Sequence, residues 1–344
     1  MGEGRLRIAL VFGGRSGEHA VSVVSARSVD RALDRDRYEV VAMAIDRNGR
    51  WADGEDSAKI LAEAPTRTED VAPFSGRHRV DPRLLDEHFD VAIPVLHGPY
   101  GEDGTIQGLF EMLDLSYVGC DVASSAACMD KIYCKGLLRQ AGYPTPDWCE
   151  IHRPLWASQR DATIDRCLQL GLPLFVKPAR LGSSVGISKV GSTDGLGDAV
   201  DVALGHGRRV LVERGLDARE IEVPVLGNDQ PRAAVPGEVV PGHEFYDYDD
   251  KYIDSTCQLL APAPIDRTTA EAAQKLAVDV FRHLGCSGMA RVDLFLERAS
   301  DRLWVNEVNT IPGFTSISMY PKLWQASGLE YPELIDELIR LALE

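Results

Sequence analysis

The chain has 344 residues, 44% of them apolar, and a formal charge of −16 from 37 basic against 53 acidic side chains. That length is too great for one ordinary core and suits two or three domains. The acidic balance argues against a nucleic-acid or anionic-membrane surface, which needs a basic patch, and no segment approaches the ~18 uninterrupted apolar residues of a membrane span.

The first elements in chain order are LRIALVFGG, a strand with a glycine turn, and a segment with Val21, Val24, Val29 and Ala32 at helical spacing. YEVVAMAID is a second strand, so the opening predicts β–α–β and a parallel sheet. The apolar run 8–12 is too short for a signal sequence. Leu6 breaks the myristoylation pattern after Gly2, and the chain reads as cytosolic. Residues 48–80 are polar, punctuated by Pro and Gly, and carry no clear period. FDVAIPVLHG is a third strand, and Ile106, Leu109, Phe110 and Leu113 mark a short helix.

Beyond residue 120 the texture changes. MDKIYCKGLLRQAG predicts a helix stopped by Gly142 and Pro144. LPLFVKPA and VGISKV predict strands around the loop RLGSS, followed by strands VLVER and REIEVPVLG. Residues 241–267 are irregular and contain YDYDDKY. Thr268 and Glu271 predict a capping box for a helix ending at Gly285. ARVDLFLE and RLWVNEVN alternate as a hairpin, and a last helix closes the chain. Seven cysteines form no CxxC pair and no zinc spacing, so free buried thiols are expected.

The strongest chemical signal is RVDLFLERASDRLWVNEVNTIPG. Alternation puts Arg291 and Asp293 on one strand face, and Glu307 and Asn309 on one face of the next. A turn centred on Ser300 sets Asp293 opposite Glu307 and Arg291 opposite Asn309. Directly opposed carboxylates repel, so a cation is expected between them, and hard oxygen donors suit Mg²⁺. A polar, solvent-facing hairpin is the plain alternative.

Lys177 ends a strand before Gly182, Ser183, Ser184 and Gly186, whose backbone N–H groups could close on phosphate. The segment matches neither a P-loop nor GxGxxG. Lys131 is a second candidate phosphate partner; each lysine taken alone reads first as a surface charge. Arginine supplies 29 of the 37 basic residues, so the eight lysines are mildly informative. Glu213 and Glu220 could meet an adenine amino group and ribose hydroxyls, or lie exposed. Glu18 starts a helix, where the dipole favours a carboxylate. His97 follows a strand end, where α/β sites collect.

Read together, GGRSGEHAVS, LHGPYGEDGTIQG, MDK, VKPARLGSSVG, LVERGL, YDYDDKY, ARVDLFL and NEVNTIPGFTS resemble the D-alanine–D-alanine ligases of the ATP-grasp superfamily, in order and over nearly the whole chain. The resemblance implies an α/β N-terminal parallel-sheet domain at 1–120. It implies α+β ATP-grasp parts at 121–212 and 213–344, with two sheets clamping the nucleotide. It implies that Lys131, Lys177, Ser184 and Lys251 contact phosphates, that Glu213 meets adenine and Glu220 ribose, and that Asp293, Glu307 and Asn309 hold two Mg²⁺, with Mn²⁺ as an alternative. Glu18 would bind the first D-alanine's ammonium with His97 nearby. Arg291 and the Gly313 N–H would stabilise an oxyanion, and Ser318 would hold the second carboxylate beside Met319. Tyr252 would link through Ser183 to Glu18 and clamp a lid, favouring an amine acceptor.

The product implied is D-alanyl-D-alanine for peptidoglycan, made from D-alanine and ATP by a homodimer with no nucleic-acid or membrane partner. The alternative is the same fold joining D-alanine to D-lactate or D-serine. A nicotinamide oxidoreductase would require the GxGxxG that GGRSGEH lacks. A catalytically dead ATP-binding module would be expected to lose Arg291 or a metal ligand. Leu181, Arg214 and Met319 depart from the family pattern.

Overall fold

The structure, a computed structural model, describes residues 4–240, 258–315 and 318–344. Lys251, Tyr252 and the rest of YDYDDKY lie outside the described residues. Three sheets organise the fold. Strands β1 (Leu6–Gly13), β2 (Tyr38–Ile45) and β3 (Val91–Val95) form a parallel sheet ordered β2-β1-β3. Its strands are buried on both faces, which is why they read as continuous apolar runs rather than alternation.

Strands β4 (Trp148–His152), β5 (Leu174–Pro178), β6 (Ser188–Val190) and β7 (Arg209–Arg214) make an antiparallel sheet ordered β4-β7-β5-β6. A third sheet contains β8 (Ala218–Leu226), β9 (Arg232–Ala233), β10 (Gly237–Val240), β11 (Gln258–Leu260), β12 (Met289–Glu297) and β13 (Leu303–Asn309). Its order is β11-β10-β8-β12-β13, with β9 paired to β8. The predicted β–α–β opening, the hairpin and the helix Lys131–Gln140 are all present.

The packing shifts the expected domain divisions. A boundary between 212 and 213 cuts β7, so Glu213 belongs to the four-stranded sheet. Cys120, Cys128, Cys134 and Leu138 pack with β8, β12 and the helix Arg267–His283, which joins the helices around 122–140 to the last sheet. The final helices, Met319–Ala326 and Tyr331–Ala342, return to the first core: Tyr320, Leu323, Trp324, Leu334 and Leu338 pack there with Ile8, Leu10 and Phe12. Each such buried side chain contributes about 1.5–3 kcal/mol, so the chain end is part of the N-terminal unit.

Two local expectations are corrected. The helix Arg267–His283 is capped by Asp266, whose carboxylate accepts from the N–H groups of Thr268 at 2.9 Å and Thr269 at 3.1 Å. Glu271 instead pairs with Arg267 at 2.6 Å. A carboxylate two residues earlier out-competes a hydroxyl for the positive helix end. Residues 48–80, unplaced by period, contain the helix Gly54–Glu63, capped by Asp53 accepting from Asp56 N at 3.1 Å.

Candidate active site

Between the two antiparallel sheets lies a cleft of about 570 Å³. Lys131, Lys177, Ser184 and Glu213 line it from one side. Glu220, Arg291, Asp293 and Glu307 line it from the six-stranded sheet. Eight residues singled out from four separate sequence segments therefore meet in one space.

The hairpin register holds at the cleft end: Arg291 faces Asn309 and Asp293 faces Glu307. Nearer the turn it slips, with Leu294 opposite Val305, which leaves Asn306 as the extra residue of a β-bulge. Val305 and Val308 are both buried while Asn306 and Glu307 both line the cleft. Simple alternation would not put two consecutive residues there; the bulge does.

Asp293 also faces Glu222 on β8, so three carboxylates occupy one row across β8, β12 and β13. Their counter-charges are protein cations. Arg291 grips Asp293 through Nε at 2.7 Å and Nη2 at 2.8 Å, and its Nη2 lies 3.2 Å from Glu222 Oε1. Lys131 Nζ lies 3.0 Å from Glu307 Oε2 and donates to Leu181 O at 2.9 Å. Burial disfavours the Lys131 ammonium, but Glu307 outweighs it and raises its pKa. Asn309 Nδ2 donates to Asp293 at 2.8 Å. Glu222 was missed by the sequence reading, although it shares a strand face with Glu220.

Opposite this row, Glu213 sits between two lysines. Lys177 Nζ is 2.7 Å from Glu213 Oε2, and Lys135 is ion-paired with Oε1. Burial pushes Glu213 up, but Lys135 and Lys177 hold it below its ordinary value. Lys135 is lowered by burial and by Lys177, against the pull of Glu213. The trio carries one net positive charge in a low-dielectric wall, which suits an anion. Lys135 was not singled out. Its i, i+4 spacing from Lys131 on one helix was the available signal.

From the N-terminal unit, Glu18 approaches the loop that leads into the cleft. Glu18 precedes the helix His19–Ala32. Its Oε2 lies 3.2 Å from where a Cβ on Gly98 would stand and 3.4 Å from one on Gly182. Glu18 and the Gly182–Ser183–Ser184 loop thus come together, with Ser183 and Ser184 both in the left-handed region at φ 50° and 58°. His97 is buried and its Nδ1 lies 2.9 Å from Ile311 O. Glu102, also missed, accepts from Ile311 N at 3.2 Å and from Gly98 N. Burial, then Glu18, push the Glu102 carboxyl up to about 8, opposed by its N–H partners and by Arg291.

These contacts fix the turn that leads to Gly313. A Cβ there would stand 3.2 Å from Ser318 Oγ, so Gly313 and Ser318 are neighbours. Ser318 Oγ bonds Thr315 Oγ1 at 2.7 Å and accepts from Thr315 N at 3.1 Å. Met319 is a correction. As the first residue of an inward-facing helix turn, it packs in the core against Gly237 and does not line the cleft.

The donor set fits a divalent cation. Asp293, Glu307 and Asn309 offer hard oxygens on adjacent strands, and a phosphate chain would complete the shell. Among the described residues no three His, Cys, Asp or Glu side chains converge as a complete ligand group. Among the described residues no helix is long and apolar enough to cross a membrane.

Comparison with known proteins identifies the family. The family model "D-ala D-ala ligase N-terminus" matches residues 7–120 and "D-ala D-ala ligase C-terminus" matches residues 137–340. A D-alanine–D-alanine ligase of Thermoanaerobacter sp. (strain X514) is 46% identical over 98% of this chain and 96% of its own length. One from Heliobacterium modesticaldum is 47% identical over 98% and 94%. Among solved structures, the D-alanine–D-alanine ligase from Coxiella burnetii superposes with a TM-score of 0.82 at 36% identity, covering 98% of this chain and 94% of the other. The VanG D-Ala:D-Ser ligase from Enterococcus faecalis gives 0.83 at 35% identity, covering 98% and 100%. A parallel sheet followed by two antiparallel sheets around one cleft is the ATP-grasp plan, and the chain belongs to the D-alanine–D-alanine ligase family.

Proposed function

We propose that the chain joins two D-alanines into D-alanyl-D-alanine, with ATP converted to ADP and phosphate, for peptidoglycan precursor synthesis. The observation that carries this reading is the opposition of the Lys135–Glu213–Lys177 trio to the Asp293–Glu307 pair across one cleft, with Glu18 beside its Gly182–Ser184 loop.

A carboxylate is a poor acyl donor to an amine and must be activated. In this reading the carboxylate of the first D-alanine attacks the γ-phosphate of ATP. Lys131 and Lys177 lie along the phosphate chain and offset the charge of the transfer. Glu213 orients Lys177 and Lys135, and Glu213 and Glu220 border the space for base and sugar. Asp293, Glu307 and Asn309 would hold a divalent cation such as Mg²⁺, which would supply electrostatic stabilisation of the phosphoryl oxygens. Arg291, which pairs with Asp293 and Glu222, would supply positive charge beside the substrate carboxylate.

Glu18 receives the ammonium of the first D-alanine. Glu102, protonated below about pH 8, keeps a second negative charge away from that carboxylate. The acyl phosphate is attacked by the neutral amine of the second D-alanine, whose carboxylate Ser318 receives. Arg291 and the Gly313 N–H stabilise the tetrahedral oxyanion, and phosphate leaves. Water must be excluded while the acyl phosphate exists. We assign that role to the segment carrying Lys251 and Tyr252, together with Ser183. The reading also includes a homodimer, checked by sedimentation.

A product assay tests this. Protein, ATP and Mg²⁺ are mixed with D-alanine alone, then with D-alanine plus D-serine or D-lactate. Dipeptide from D-alanine alone, with little mixed product, is expected. Predominant D-alanyl-D-serine or depsipeptide overturns the amine and pocket assignment, and no ATP turnover with any of them overturns the substrate class.

A further inference from the structure

Four cysteines outside the mechanism lie in one buried patch: Cys120, Cys128, Cys134 and Cys286. They come from distant parts of the chain. Cys128 ends the helix Val122–Met129, Cys134 lies on Lys131–Gln140, and Cys286 joins the helix Arg267–His283 to β12. Cys286 is central. Its Sγ is 3.8 Å from Cys128 Sγ, and Cys120 also hydrogen-bonds to it. All four are free thiols.

We propose that Cys128 and Cys286 form a reversible disulfide on exposure to a hydroperoxide, and that this bond slows the enzyme by displacing Asp130 and Lys131.

The chemistry is balanced. The Cys286 thiolate attacks a peroxide oxygen; an S–O bond forms, the O–O bond breaks, and hydroxide leaves to take up a proton as water. Cys128 sulfur then attacks the sulfenic sulfur. The S–S bond forms, the S–O bond breaks, and a second water leaves with the Cys128 proton. Two thiols lose two electrons to one hydrogen peroxide. Hydrogen bonding with Cys120 and then Cys128 lowers the Cys286 pKa against the effect of burial, which favours the reactive thiolate. Cys286 is the most exposed of the four at 7%. A cavity of about 340 Å³ is lined by Gly119, Asp121, Ser287 and Gly288, the chain neighbours of Cys120 and Cys286, and gives a small polar oxidant a place to approach.

Closing the pair to a bond of ~2.05 Å requires a contraction of about 1.8 Å. The Cys286 side is anchored. Ser287 Oγ donates to Gly119 O at 3.2 Å, Gly288 N to Asn228 Oδ1 at 3.0 Å, and Gly227 N to Gly288 O at 2.9 Å. The movement therefore falls on the end of the helix Val122–Met129. Next in chain are Asp130, fully buried and ion-paired with Arg180 at 2.8 Å and with Arg209, and Lys131, which faces Glu307. The loss of turnover rests on the proposed function; formation of the bond does not.

The test uses the full chain treated with hydrogen peroxide, quenched with an alkylating agent and digested without reductant. The expected result is loss of two thiols per chain, a Cys128–Cys286 peptide, and turnover that falls by about tenfold or more and returns with dithiothreitol. Cys128→Ala should keep its activity under peroxide, while Cys149→Ala should lose it as the parent chain does. Retention of all thiols overturns the proposal, as does a bond at another pair, including Cys149–Cys167, which also touch. A Cys128–Cys286 bond with unchanged turnover overturns the coupling to Lys131.

Discussion

Lys135 and Glu213 form an ion pair whose side chains are only 1% and 2% exposed, with Lys177 on the carboxylate's other oxygen. A buried carboxylate between two ammonium groups is tolerated because each charge compensates another. Glu213→Gln removes that compensation and leaves two buried cations facing each other. We expect a loss of about 3–5 kcal/mol in urea unfolding. Adding Lys135→Met should recover part of it. Additive losses in the double variant would show that the three do not act as one charge group.

The bulge at Asn306 predicts a separation of stability from activity. Deleting Asn306 restores a regular ladder in which Val305 and Val308 stay inward and Glu307 stays outward. The deletion variant should unfold within about 1 kcal/mol of the parent, yet turn over far more slowly, since a bulge re-aims the side chain beside it. Equal activity would show that the bulge does not set the position of Glu307.

Lys131 joins two walls of the cleft, through Glu307 and Leu181 O. Lys131→Ala should lower kcat/KM for ATP by roughly 10²-fold, the scale of losing one preorganised charge donor. It also leaves Glu307 facing Asp293 with less positive charge between them. A steeper dependence of turnover on divalent-cation concentration should follow; an unchanged dependence would remove Lys131 from that cluster.

Glu102 gives a pH prediction. Its carboxyl is raised from 4.5 to about 8 by burial and by Glu18. Between those values the folded chain holds a proton that the unfolded chain has released. Stability therefore falls as pH rises through that window. Glu102→Gln cannot titrate, although it disturbs one of the two N–H contacts at Gly98 and Ile311. Its melting temperature should lie below that of the parent at pH 5, with the gap narrowing by pH 8. A constant gap would show that Glu102 ionises normally.

Much of the site was legible because charge and period coincide. Arg291, Asp293, Glu307 and Asn309 declare themselves by alternation on two strands, and the register at the cleft end follows from counting. The bulge was not legible, because period-2 counting carries no term for an extra residue. Lys135 and Glu222 each repeat the spacing of a residue already chosen, yet both are buried among opposite charges, where composition predicts apolar side chains. Glu102 lies in a glycine-rich loop without periodicity, and only the fold brings it to Glu18. Asp266 took the cap assigned to Thr268 because a residue just before the apolar period was overlooked. Met319 was assigned to the pocket from its neighbour Ser318, whereas the helix turns it into the core.

The proposed function requires this cleft to activate a carboxylate by phosphoryl transfer from ATP. The most direct measurement uses D-alanine labelled with ¹⁸O in its carboxylate, with the inorganic phosphate analysed by mass spectrometry. An acyl phosphate carries one carboxylate oxygen into phosphate, so one ¹⁸O should appear in phosphate for each dipeptide formed. Dipeptide formed with unlabelled phosphate, or with label in AMP, would contradict the account.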